Sequence, residues 1–308
     1  MAQDDVGGSG SAGAASGGQG RSPAQNGGER PPAPGIDIEK PHVARMYDYF
    51  LGGKNNYAAD REAAEQVLKA MPLVQAGARM NRWLLVESVR WLAQEAGIRQ
   101  FLDIGSGLPT QQNVHEVAQS VDKNARVVYV DNDPLVRVHA ESLLATTPNT
   151  IVVEGDLREP EALLGRPELR EHLDFSRPLA LLLVAVLHFI EDTQRAYEIA
   201  QTLYDALPSG SYVVLSHALT DPVIEEGMAH TRAIYSRTNS GGFPRTRDEI
   251  KGFFTGLTPV GSGLAHATEW SLPGRTLDLL GDGNIVPVGD PSALQKLPVM
   301  FGVARVDR

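Results

Sequence analysis

Three short phrases put glycines and carboxylates where a nucleoside could be gripped: Asp103-Ile-Gly105-Ser106-Gly107, Val130-Asp131-Asn132-Asp133 and Glu154-Gly155-Asp156-Leu157. Each follows a short run of β-branched or leucine residues and so reads as the turn at the carboxyl end of a buried strand. Glycines in the first turn let the backbone bend tightly and come close to a ligand. Asp131, 24 residues beyond Gly107, stands where an acid can accept both hydroxyl protons of a ribose. Asp156 could accept from the exocyclic amine of an adenine. Singly, each has a plainer reading as a tight turn or a surface acid. Together, three strand ends converge on one nucleoside.

Two nucleoside chemistries compete for such a pocket. A nicotinamide dinucleotide calls for a third glycine three places beyond the second, so that a helix N-terminus can receive a pyrophosphate. That place holds Thr110, preceded by Pro109. Asp103 would also set a negative charge beside the phosphates. S-adenosylmethionine has no phosphate and carries a sulfonium and an ammonium, so a carboxylate in the first turn becomes favourable.

The elements that must position these turns follow from the hydrophobic pattern. Short apolar runs at 101–104, 127–130, 151–153, 179–184 and 212–215 alternate with helical stretches. Five such strands, apolar on both faces and joined by crossover-length segments, predict a parallel sheet covered on both sides, a doubly wound α/β fold. A strand over 298–306 could close the sheet edge, after a weaker candidate at 257–260. Upstream, Leu85, Val89, Leu92 and Ala96 share one helical face that Gly97 would end, and Asp60 could cap an earlier helix. Residues 1–35 hold ten of the 31 glycines and four of the 20 prolines, with only Met1 and Val6 as large apolar residues. Such a segment cannot offset its ordering entropy by burial and is expected to be a disordered tail. The Gly/Pro/Asp-rich excursion at 271–298 has no assigned role.

Four phrases carry a resemblance to a known family: Arg45-Met-Tyr-Asp-Tyr-Phe-Leu-Gly-Gly-Lys-Asn-Asn-Tyr57, Phe101-Leu-Asp-Ile-Gly-Ser-Gly-Leu-Pro-Thr110, Val128-Tyr-Val-Asp-Asn-Asp-Pro134 and Leu181-Leu-Leu-Val-Ala-Val-Leu-His-Phe-Ile190. Over about residues 40–306 the chain resembles the actinobacterial S-adenosylmethionine-dependent methyltransferases once catalogued as a domain of unknown function. The resemblance implies a class I, Rossmann-like fold with a seven-stranded sheet whose last strand is antiparallel. It also implies a helical N-terminal cap over the cofactor, which divides the chain into a tail (1–35), a cap (36–97) and a cofactor-binding domain (98–308). Carried residue by residue, it makes Asp103, Gly105, Ser106 and Gly107 the turn at the cofactor's methionine end. Asp131 becomes the ribose acceptor, Asn132 a neighbour of the adenosine, and Asp156 with Leu157 the adenine contact.

The acceptor side is less defined. His188, after the fourth strand, reads either as a general base for a hydroxyl or amine nucleophile or as a hydrogen-bonded wall residue. His217, past the fifth strand, could face the same cleft. Around Gly52-Gly53, the stretch with Tyr47, Asn56 and Tyr57 is too polar for a core helix and too aromatic for an idle linker. It reads as a lid or as a packed N-terminal helix. Arg79 or Arg82 could pair with the cofactor carboxylate.

Composition narrows the function classes. The chain has 308 residues, a net charge of −10 and no cysteine. The absence of cysteine excludes a disulfide framework, thiolate-bound metal and a cysteine nucleophile, and no metal site is expected. The acidic balance, and the lack of an Asn/Asp-Pro-Pro-aromatic turn after the fourth strand, argue against a nucleic-acid partner and leave a small molecule, the acceptor expected here, or a protein side chain. No apolar run reaches membrane-spanning length, and the N-terminus lacks a secretory pattern, so a cytoplasmic location is expected. The expected function is S-adenosylmethionine-dependent methyl transfer to an unidentified acceptor. The alternative is a non-catalytic sensor of S-adenosylmethionine or S-adenosylhomocysteine.

Overall fold

Side chains along the central strands go alternately to two opposite faces, and both faces are apolar. On β1 (Gln100–Ile104), Leu102 and Ile104 join one buried cluster while Phe101 joins another. The same alternation runs through β2 (Arg126–Asp131), β4 (Ala180–Val184) and β5 (Tyr212–Ala218). Leu181 and Leu183 point one way and Leu182 the other, all fully buried. Each such side chain contributes about 1.5–3 kcal/mol by leaving water. The computed structural model that shows this describes residues 37–109, 112–138, 148–220, 225–238, 241–275 and 296–308. The expected tail at 1–35 lies outside the described residues, as do Thr110 and most of the 271–298 excursion.

With β3 (Thr150–Glu154) the parallel strands take the order β3-β2-β1-β4-β5. A further strand, Val299–Arg305, runs antiparallel to β5 from Tyr212↔Arg305 to Ala218↔Val299. Two two-residue strands, β6 (Thr258–Pro259) and β7 (Ala265–His266), pair with the other side of this β8. The reversed strand agrees with the class I arrangement, with two corrections. The sheet has eight strands because its seventh position is split in two. The strand expected at the edge lies one place inside it, and the weaker candidate supplies the edge.

Before β1 come three helices, α1 (Val43–Phe50), α2 (Ala58–Ala70) and α3 (Val74–Gln94). The apolar face of α3, including Leu85, Val89 and Leu92, packs with Phe101, Val127 and Phe301 against one side of the sheet. α4 (Val114–Val121) covers the same side. The opposite side is covered by α5 (Pro160–Leu164), α6 (Pro167–His172), α7 (Thr193–Asp205) and α9 (Arg247–Gly252). α8 (Glu225–Tyr235) packs instead on α1 and α2 through Ile234.

Asp60 is not the cap of α2. It lies within the first turn, where its carboxylate accepts from the backbone N–H of Tyr57 at 2.8 Å and of His42 at 2.9 Å. Its oxygens also meet Arg45 Nε at 2.9 and 3.0 Å. Asp60 is fully buried and Arg45 nearly so, so this pair with its backbone donors ties the start of α1 to the start of α2. Among the described residues, no helix is long and apolar enough to cross a membrane.

Candidate functional site

The carboxyl ends of β1, β2, β4 and β5 open into a cavity of about 370 Å³, which residues of α1, α3 and α8 also line. The turn after β1 is built on two backbone bonds, Gly105 N–H and Ser106 N–H to the carbonyl of Val130 at 2.8 and 3.2 Å. Gly105 has φ +73°, and a Cβ there would lie 2.3 Å from Val186 Cγ2, so only glycine fits. Gly107, at φ +65°, has open space where its Cβ would be. Its N–H donates to Asp131 Oδ2 at 2.9 Å, and Asp133 N–H donates to Asp131 Oδ1 at 3.0 Å. Both carboxylate oxygens are thus aimed by the backbone and keep lone pairs for a ligand. Burial pushes the Asp131 pKa up to about 6 against these two bonds.

Asp103 is 5% exposed and lines the same cavity. Burial raises its pKa to about 7, with Arg82 opposing and Asp131 reinforcing the shift. Among the described residues no hydrogen-bond donor reaches its carboxylate. Beside it on the cavity wall, α3 supplies Asn81 and Arg82. Asn81 Nδ2 donates to the hydroxyl of Tyr47 at 3.0 Å, while its buried Oδ1 has no partner among the described residues. Arg82 donates to the carbonyl of Gln112 at 2.9 Å. A carboxylate without a described hydrogen-bond donor, an orphaned amide oxygen and a guanidinium on one wall fit a zwitterionic amino-acid group.

At the β3 end, Gly155, Asp156 and Leu157 line the cavity together with Asn132. Arg158 Nε lies 2.9 and 3.0 Å from the two oxygens of Asp156. That hydrogen bond is the largest cause holding the Asp156 carboxyl below its usual range.

Beyond β4 the wall changes character. Ala185 adopts φ +56°, a left-handed conformation costing an alanine roughly 1–2 kcal/mol. Its N–H is held by Ser216 Oγ at 2.9 Å. His188 sits on the single 3-10 turn Leu187–Phe189. Burial, with help from the Arg245 charge, pushes its pKa down to about 4. His217 lies within β5 and is 1% exposed; the two rings stand 5.5 Å apart and nearly perpendicular. Arg245 anchors this region, donating to the carbonyls of Leu187 at 3.1 Å and Ile190 at 2.7 Å, to Thr193 Oγ1 at 3.1 Å and to His217 Nε2 at 2.9 Å.

Of the residues singled out in the sequence, Asp103, Gly105, Ser106, Gly107, Asp131, Asn132, Asp156, Leu157, His188, His217, Tyr47 and Arg82 all meet at this one cavity. Asn56 and Tyr57 are not among its lining residues. Asn56 Nδ2 donates to Asp48 Oδ2 at 2.8 Å, and the Tyr57 ring lies beneath Arg45 and packs on Leu108, Leu135 and Val136. They brace the segment between α1 and α2. Asn81 and Arg245 were missed. Asn81 does leave a trace, an amide four places before Leu85 on an otherwise apolar helical face; for Arg245 no sequence signal exists.

The sheet order with its reversed strand, the glycine turn and the acids at successive strand ends define a class I S-adenosylmethionine-dependent methyltransferase. The chain belongs to the S-adenosyl methyltransferase family, whose family model matches residues 29–299, and S-adenosylmethionine is its methyl donor. Among solved structures it is similar to a DUF574 family protein from Streptomyces avermitilis, at 39% identity over 88% of this chain and 99% of that one, with a TM-score of 0.78. A candidate methyltransferase from Thermobifida fusca YX is similar to the same degree, 39% identical over 89% and 98% of the two chains, TM-score 0.78. No curated protein sequence matches the chain.

Proposed function

We propose that this methyltransferase acts on a small-molecule acceptor inside the cavity, with the strand ends holding the cofactor and α1, α3 and α8 covering both. The observation that carries this reading is the continuity of one cavity from Asp131 and Asp156 through Asp103 and Gly105 to His188 and Tyr235. In this reading Asp131 takes the ribose hydroxyls, Asp156, Leu157 and Asn132 border the adenine, and Ser106 and Gly107 shape the turn beneath. Asp103 and the Asn81 Oδ1 accept from the ammonium, and Arg82 faces the carboxylate. The segment 36–97 acts as the cover, meeting the site through Tyr47 on α1 and through Asn81 and Arg82 on α3.

When bound, S-adenosylmethionine supplies an electrophilic methyl group whose departing bond leaves its electron pair on sulfur. What the chain contributes is alignment in an enclosed, largely apolar space that excludes water. His188, expected as a general base or as a wall residue, has too low a pKa to take a proton efficiently at neutral pH. The lining of the cavity by α1, α3 and α8 as well as by the strand ends supports the small-molecule reading over a nucleic-acid one. Titration calorimetry with S-adenosylmethionine, S-adenosylhomocysteine and NAD in parallel tests the cofactor assignment. Binding of the first two alone is expected; binding of NAD alone would overturn it. A following screen of small-molecule acceptors for methyl incorporation separates the enzyme from the sensor.

A further inference from the structure

The cavity beyond β4 offers hydrogen-bond donors and almost no basicity. Its lining carboxylates, Asp103, Asp131 and Asp156, all lie at the cofactor end. On the acceptor side the lining polar groups among the described residues are His188, His217, Ser216, Thr231, Arg232, Tyr47 and Tyr235. The proton positions on the two imidazoles follow from their partners. Arg245 carries only donors, so His217 Nε2, 2.9 Å away, must accept. The proton of His217 is therefore on Nδ1, which donates to the carbonyl of Ala218 at 2.8 Å. The N–H of Ala218 donates in turn to His188 Nδ1 at 3.4 Å. That leaves the proton of His188 on Nε2, the ring nitrogen not engaged by backbone.

Burial and the Arg245 charge hold both imidazoles neutral. Burial also raises the Tyr235 hydroxyl, which stays protonated, and Tyr47 gives its own proton to the carbonyl of Ala78 at 3.2 Å. Among the described residues, an ammonium or an ordinary alcohol entering here meets no group to take its proton. An oxygen already bearing negative charge needs none, and His188, which lines the cavity, offers it the Nε2–H.

We propose that the acceptor is a resonance-stabilised oxyanion, a carboxylate or an acidic phenolate, held at its charged oxygen by the Nε2–H of His188, whose proton is placed by the backbone N–H of Ala218, a segment held in position by His217 and Arg245. The inference rests on the cofactor reading above. The acceptor oxygen's lone pair forms the new O–CH3 bond as the S–CH3 bond breaks, the S–CH3 pair stays on sulfur, and no proton leaves the acceptor.

The test is calorimetry on the full chain, first with S-adenosylhomocysteine and then, at saturation, with benzoate against benzamide and 4-nitrophenolate against 4-nitroanisole. At least one anion is expected to bind about ten- to a hundredfold tighter than its neutral partner, the range for a hydrogen bond to a charged group. A preference for benzoate identifies a carboxylate and one for nitrophenolate a phenolate; no preference in either pair, or tighter binding of benzylamine, overturns the proposal. Failure of S-adenosylhomocysteine to bind would instead fault the cofactor reading. H188L should abolish the preference, and H188Q, which keeps an N–H, should retain most of it. Nitrogen-15 NMR of the ligand-free protein gives a readout independent of binding. His188 should show the Nε2–H tautomer without titrating between about pH 6 and 8, where an ordinary histidine would titrate. H217Q should preserve that signature and H217L should lose it. An Nδ1–H tautomer or a charged ring in the wild type would refute the assignment.

Discussion

Asp103→Asn should stabilise the ligand-free protein while weakening its hold on the cofactor. The carboxyl is buried, lacks a described hydrogen-bond donor, and has its pKa raised from 3.8 to about 7. An acid so raised binds its proton more tightly in the folded chain than in the unfolded one. Its stabilising contribution is complete below about pH 3.8 and is lost as the pH rises through about 7. Some three pKa units at about 1.4 kcal/mol each give an upper bound of roughly 4 kcal/mol, and local relaxation makes ~2–4 kcal/mol the expected cost at pH 8. Asparagine removes the charge and keeps the shape. Thermal unfolding should therefore show D103N melting above wild type at pH 8, by about 2–4 °C per kcal/mol for a domain of this order, and close to it near pH 4. Calorimetry with S-adenosylhomocysteine should show a loss of ~1.5–3 kcal/mol, the worth of a hydrogen bond to a charged group. A D103N protein less stable than wild type at pH 8, or an offset equal at both pH values, would refute the burial account of Asp103. Undiminished cofactor affinity would refute its role at the ammonium.

Asp131→Ala should cost ~1.5–3 kcal/mol in affinity for S-adenosylhomocysteine, and unchanged affinity would remove Asp131 from the ribose. In Gly105→Ala the new methyl would meet Val186 in a left-handed backbone, so melting should fall by the equivalent of at least 1–2 kcal/mol. Adding Val186→Ala should recover only the part due to contact, and a fully stable single variant would show that the turn is not rigid. Arg245→Met would strand the carbonyls of Leu187 and Ile190 and the ring nitrogen of His217. At about 1–3 kcal/mol for each unsatisfied group, denaturant unfolding should register a loss of at least ~3 kcal/mol; a change below 0.5 kcal/mol, about the noise of a surface substitution, would contradict its anchoring role.

Much of the proposed cofactor end was legible in the sequence because its chemistry is local. A strand, its terminal acid and the glycine turn lie within a few residues, so Asp103, Gly105, Gly107, Asp131 and Asp156 can be read directly. The acceptor end is assembled from afar. Arg245 reaches the 187–191 loop and His217 through contacts between distant segments, and nothing in the residues around it announces that partnership. Asn56 and Tyr57 show the opposite case: an amide and aromatic stretch that reads as a lid or as a packed helix lies outside the cavity lining, where Asp48 and Asp60 claim its polar groups. The split of the seventh sheet position escaped for a third reason, because two-residue strands carry no periodicity to detect.

The placement of β8 bears on how the chain assembles during synthesis. Every parallel strand is translated before Val299–Arg305, yet that segment occupies an interior position and covers the whole length of β5. Until it arrives, Tyr212–Ala218 presents an unpaired and mostly apolar edge, and β6 and β7 have nothing to pair with. Non-local pairing of this kind is slow, because the intervening loop must close before any contact repays it. An open edge held during that interval invites pairing with a neighbouring chain. Truncation ahead of Val299 should therefore favour aggregation over a soluble, partly folded enzyme, and refolding of the whole chain should wait on the docking of this one strand.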